Sequence, residues 1–144
     1  MNIDWVIPCR YVEVHDSLGT IVGAGIDTYW VPELPAPIQV LLAVRLLAMA
    51  EEVEEGEEQK HEVTNRVRDP RGDVLSEMGG KFSVSAVATN PDWLTGIMAA
   101  TAIQFEAAEE GTYTIDHLVD NASASLPIHV VEGLPPGVTP PDEA

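Results

Sequence analysis

Ile38-Gln39-Val40-Leu41-Leu42-Ala43-Val44-Arg45-Leu46-Leu47-Ala48-Met49-Ala50 is the stretch on which the fold turns. Ala, Leu and Met are good helix formers, and Ile38, Leu41, Leu42, Leu46, Met49 and Val53 recur near helical spacing after Pro37. That pattern suits an amphipathic helix that starts behind a proline. The same residues also suit a central strand, apolar on both faces because it is covered on both. The neighbouring segments favour the strand. Residues 94–108 pose the same choice and take the same answer.

Working outward, residues 59–68 alternate with period two. His61, Val63, Asn65 and Val67 fall on one face, and Lys60, Glu62, Thr64, Arg66 and Arg68 on the other, as in a half-buried strand. Asp69-Pro70-Arg71-Gly72 is a type I turn sequence with Pro at its second position, which returns the chain through residues 73–78. A second hairpin runs through residues 112–119, turns at Asp120-Asn121, and returns through residues 124–130. There Ala124, Leu126, Ile128 and Val130 share a face, and Pro127 indicates an edge position because it cannot donate to a ladder. Residues 20–31 are rich in β-formers, with a bulge or close approach expected at Gly23 and Gly25. Further breaks are expected at Asp16-Ser17-Leu18-Gly19, across residues 32–37, and at Gly79-Gly80, Asn90-Pro91-Asp92 and Glu109-Glu110-Gly111. Turns at this spacing are those of a sandwich. The expected fold is all-β: one antiparallel β-sandwich of seven to nine strands. An α+β arrangement with one or two short helices in 38–55 and 94–108 is the alternative. Residues 1–132 form the domain, and residues 133–144, with four of the eleven prolines, form an extended tail.

Certain residues also resemble a known family. Cys9-Arg10-Tyr11, the run Thr20-Ile21-Val22-Gly23-Ala24-Gly25-Ile26-Asp27, Pro35-Ala36-Pro37, Asp69-Pro70-Arg71-Gly72 and Gly111-Thr112-Tyr113-Thr114 are similar to a family of small uncharacterised bacterial proteins, a domain of unknown function. The resemblance spans most of residues 3–131 and departs in the length of the acidic connector after Met49. It implies a single immunoglobulin-like or C2-like sandwich. It implies no activity at any position.

Charge narrows the partners. The 144 residues carry 24 acidic and 7 basic side chains, a formal net charge of −17. Nucleic acids and anionic membranes, which are bound by neutralising phosphate with Lys and Arg, would repel such a chain. No apolar run approaches the roughly 18 residues of a spanning helix, and the N-terminal residues lack the basic start of a signal peptide. Cys9 is the one cysteine; it excludes an internal disulfide and a Cys-rich zinc site, and a cytoplasmic location is expected.

Candidate chemistry is sparse. Glu51, Glu52, Glu54, Glu55, Glu57 and Glu58 form an acidic run that could hold Ca²⁺ through carboxylate oxygens. Calcium loops, however, alternate Asp and Asn around a glycine, and a continuous Glu block reads better as a solvated loop or as a counter-charge to Lys60, Arg66 and Arg68. His15, His61, His117 and His129 show no short metal spacing. His61 and His117 each share an apolar face, so an acid/base pair would require the sheets to bring one beside a carboxylate in a cleft. Cys9 lies on a strand face with Ile7 and Tyr11, as a buried thiol does. There is no nucleophile elbow or phosphate loop. Trp5 and Trp93 are expected to plug the core or its ends. Trp30 beside Pro32 and Pro35 is the expected exposed aromatic and interface candidate. The function that follows is a non-enzymatic protein-interaction or assembly module, without cofactor, that binds a protein partner or itself, as components of larger assemblies such as viral particles do. A Ca²⁺- or small-ligand-binding sandwich using loop 51–58 is the alternative.

Overall fold

The computed structural model describes residues 1–49, 60–84, 90 and 92–143. Ten strands follow in chain order: β1 (Asn2–Cys9), β2 (Tyr11–His15), β3 (Leu18–Val22), β4 (Thr28–Val31), β5 (Ala36–Ala48), β6 (Lys60–Arg68), β7 (Val74–Ser83), β8 (Thr95–Ala107), β9 (Gly111–Val119) and β10 (Ala122–Glu132). A three-stranded sheet has the order β1-β5-β8, a five-stranded sheet the order β4-β10-β9-β6-β7, and β2 and β3 pair as a hairpin. The two larger sheets pack face to face through Ile38, Val40, Leu42, Val44 and Leu46 of β5, Ile103 and Phe105 of β8, and Val67, Tyr113, Ile115, Val119, Ile128 and Val130 opposite.

The stretch at 38–50 is therefore a strand through Ala48, as is its counterpart β8, and no α-helix occurs among the described residues. Its helical look has a physical cause. Even-numbered residues of β5 face the core, while the odd-numbered face is covered in part by the β2–β3 hairpin, which packs on β5 and β8. Ala43 on that outer face is fully buried, and Gly19 of the hairpin lies against Met98. A strand covered on both sides loses its polar alternation.

The strand count is one above the expected maximum because residues 20–31 divide. Gly23 and Gly25 take φ of 66° and 84°, which breaks the run into β3 and β4. One pairing departs from the antiparallel expectation: β4 runs parallel to β10, with His129 opposite Thr28 and Glu132 opposite Val31. Gly79-Gly80, expected as a break, lies inside β7, held opposite Thr64 and Val63 of β6. Pro127 does not mark an edge strand, since β10 lies between β4 and β9. His129 N–H donates toward β4, to Asp27 O, so the missing donor of Pro127, two residues earlier, falls on the same side, before the ladder with β4 begins.

Both predicted turns form. Gly72 N–H donates to Asp69 O at 2.9 Å, and Asp120-Asn121 joins Val119 to Ala122. At the start of β9, the Tyr113 hydroxyl donates to Glu109 O at 2.9 Å and anchors the loop that precedes it. Beyond β10 the described residues hold no further strand, and a 3-10 turn spans Pro141–Glu143.

Candidate functional site

Three features of the β6–β7–β9 region carry chemistry. The first is inside. Asn65 and His117 are cross-strand partners on the inner face, both buried, and their side chains bond at 2.6 Å between Nδ1 and Oδ1. Because the amide oxygen accepts, His117 Nδ1 carries the proton and Nε2 is the basic nitrogen. His117 lines an apolar cavity of about 190 Å³ together with Val44, Leu46, Val63, Phe82, Ala99 and Thr101. Burial pushes its pKa below the ordinary histidine value. An unfolded chain therefore takes up a proton near pH 6.5 that the folded chain refuses, and stability falls as pH drops through that value. The melting temperature should be a few degrees lower at pH 5.5 than at pH 7.5. His117→Gln should remove most of that difference, and an unchanged pH dependence in the variant would refute the assignment.

His61 occupies the same inner face of β6, with Nδ1 2.7 Å from Asp120 Oδ2 and its ring 5.5 Å from that of Phe82. Its Nε2 is buried and has no hydrogen-bond partner among the described residues. Burial raises the pKa of Asp120, but hydrogen bonds from His61 and from Glu62 N–H more than offset that and hold the carboxyl below its usual value. An acid/base pair needs one imidazole that has both a carboxylate and access. His61 has the carboxylate but is 6% exposed; His117 has the cavity but an amide as partner. The cavity can accept an apolar group, with one imidazole nitrogen in its wall.

The second feature is a polar row on the outer face. Glu77, Arg66, Asp116 and Ser125 stand opposite one another on β7, β6, β9 and β10. Arg66 Nε donates to Glu77 at 2.8 Å, Ser125 Oγ to Asp116 at 2.7 Å, and Arg68 grips Asp116 Oδ2 with Nε at 2.7 Å and Nη2 at 2.5 Å. Arg66 and Arg68 thus have counter-charges on β7 and β9; the acidic run, with its Ca²⁺ candidates Glu51, Glu52, Glu54, Glu55, Glu57 and Glu58, lies outside the described residues.

The third feature is β7, which among the described residues ends its sheet. Glu62 gives its N–H to Asp120 Oδ1 and accepts Asp120 N–H on its carbonyl, so the backbone groups of even-numbered β6 residues face β9. Those of His61, Val63, Asn65 and Val67 face β7, where they meet Phe82, Gly80, Met78 and Ser76. By alternation, the N–H and C=O groups of Glu77, Gly79, Lys81 and Ser83 point away from the sheet. Val74, Leu75 and Met78 along this strand are 56%, 45% and 44% exposed. Long apolar edges of this kind are templates for another strand.

Other candidates are dispersed. Cys9 is buried with Sγ 3.7 Å from Leu41 O, and burial raises its pKa, so it is held as an unreactive thiol. His15 bonds Glu13, and His129 bonds Thr112 Oγ1 at 2.9 Å. Trp30 is partly exposed on β4; Pro32 and Pro35 line a shallow surface depression with Glu33 and Leu34, outside which Trp30 lies. Trp93 corrects the sequence expectation. It is 63% exposed on a turn closed by its N–H on Asn90 O, off the inner face of either sheet. No group of three or more His, Cys, Asp or Glu residues could hold a metal among the described residues.

The family of unknown function DUF6941 matches residues 4–131. The chain belongs to this family. The DUF6941 match includes His61, Asn65, His117, Asp120 and the whole of β7. No curated protein and no solved structure matches the chain. No helix among the described residues is long and apolar enough to cross a membrane.

The edge of β7 is the feature that sequence reasoning missed. Gly79-Gly80 reads as a turn, and only the alternation resumed by Lys81 and Phe82 hints that the strand continues.

Proposed function

We propose that this member of DUF6941 is a non-enzymatic protein-interaction or assembly module that takes its partner strand on the edge of β7. The observation that carries the reading is the row of backbone groups from Glu77 to Ser83 directed away from the sheet, flanked by exposed Val74, Leu75 and Met78. β-Strand addition draws affinity from such main-chain groups. The scaffold is immunoglobulin-like. Supporting this are the sheet orders, the parallel β4–β10 edge and the Tyr113 hydroxyl on the Glu109 carbonyl, an arrangement of the tyrosine-corner kind. The partner is protein, because a net charge of −17 opposes phosphate backbones and anionic lipid. A buried thiol at Cys9 and no second cysteine suit a reducing compartment, the cytoplasm.

Gly79→Pro tests the edge. The N–H it removes points outward, and a Cβ at this position meets only ordinary contacts with Thr64 and Val63, so the β6–β7 ladder survives. In extracts of cells expressing each form, the wild type should elute in an assembly larger than its own 15.5 kDa and the variant at monomer size, with an unchanged melting temperature when purified. Wild type at monomer size, or a variant that still assembles, would overturn the reading.

A further inference from the structure

We infer that the strand received by β7 is β7 of a second copy, paired antiparallel about a two-fold axis through Gly79. The inference rests on the edge reading above and adds the identity of the occupant. Glu77 and Lys81 are the charged residues of β7 and lie two positions either side of Gly79. Both have outward backbone groups and both side chains stand on the outer face, in the rows of Arg66 and Glu62. An antiparallel register that sets Glu77 opposite Lys81 of the other strand has one solution, the symmetric register centred on Gly79. It gives two identical ion pairs, as an isologous contact must. Opposite charges directly across a ladder are favourable, and like charges are not.

The backbone agrees with this register. Gly79 faces its own copy and Glu77 faces Lys81 as hydrogen-bonded pairs, so the three outward residues on each copy exchange about six N–H···O bonds. On the other face, Met78 lies opposite Gly80. An exposed thioether thus covers a position that carries no side chain, twice by symmetry.

Electrostatics permits this edge. Two copies of charge −17 repel, yet residues 60–83 hold five of the seven basic residues and four of the 24 acidic ones. Within the β6–β7 hairpin the charges therefore nearly balance, which limits repulsion between the two hairpins, since charges farther than about 8 Å are screened at physiological salt.

Light scattering on the purified protein across micromolar concentrations reads the result. The wild type should rise from 15.5 kDa to twice that mass, while Lys81→Glu should weaken association on the order of tenfold by opposing two acids twice. Lys81→Glu also opposes Glu62 across the β6–β7 ladder, but both side chains are exposed, so the cost to the fold is small. Glu77→Lys should weaken association similarly, and the exchange of both charges in one chain should restore it. A wild type that stays monomeric when pure, while its extract assembly remains sensitive to Gly79→Pro, overturns the second copy and leaves the edge reading standing. No association in either setting defeats both. Dimers indifferent to Lys81→Glu, or not rescued by the exchange, overturn the register proposed.

Discussion

Leu42→Ala should lower the stability of the fold by about 3 kcal/mol, with a fall in melting temperature of roughly 6–12 °C. Leu42 is fully buried and stands in the middle of β5, the strand between β1 and β8. Its side chain reaches across to the five-stranded sheet in the main apolar cluster. Truncation removes that contact and leaves a cavity, because close-packed sheets on either side collapse only partly. Total stabilities are about 5–15 kcal/mol, so the loss is a large share. The neighbour Leu41 provides the control. It points to the outer face and is only half-buried, so Leu41→Ala should cost about half as much or less. Urea unfolding of both variants checks the contrast. Equal losses would contradict the strand assignment, since a helix through 38–50 places Leu41 and Leu42 on one face.

Asp116→Asn should destabilise by about 2–3 kcal/mol. The carboxylate faces outward from β9 yet is 4% exposed, buried beneath Arg68 and Ser125. The substitution takes a charge-assisted acceptor from two Arg68 donors and presents an amide that cannot satisfy them equally. Arg68 stays partly exposed and rehydrates, which keeps the cost below that of a fully buried charge. The pH dependence identifies the cause. Burial raises the pKa of Asp116, but hydrogen bonds from Ser125 and Arg68 outweigh it, so the folded value lies below the unfolded one. The stabilisation is therefore complete above the unfolded value of about 3.9 and is lost as pH falls through the lower folded value. Urea midpoints measured from pH 7 down to pH 2 should fall more steeply below pH 4 for wild type than for the variant. Parallel curves with no gap at pH 7 would refute the account.

The elements legible in the sequence are those with one face wet. β6 alternates cleanly because Lys60, Glu62, Arg66 and Arg68 project from the outer face while His61, Asn65 and Val67 are buried. The two hairpins around residues 69–72 and 120–121 were readable from turn chemistry alone. β5 and β8 are ambiguous in sequence because the β2–β3 hairpin, from another part of the chain, covers part of their outer faces, and local periodicity does not register a distant cover. The same limit explains Trp93, whose exposure depends on where its turn stands relative to the sheets.

The candidate site was less legible still. His61 and His117 could be placed on apolar faces, but their partners could not be named. Asp120 and Asn65 are 59 and 52 residues away in the chain and meet them only through the β6–β9 register. Asp116 reads as a solvated strand residue until Arg68 and Ser125 close over it. Glu77 and Lys81 become complementary to a second copy only when β7 is known to end its sheet.

Composition, turn residues and period-two patterning thus determined by themselves that the chain is β-rich and strongly acidic. Those properties are local, and a single strand or turn expresses them. The tertiary structure decided which strands are central, which polar groups are buried, and which edge is open. Each of these depends on what lies on the far side of a strand, which is set by pairing between residues far apart in the chain.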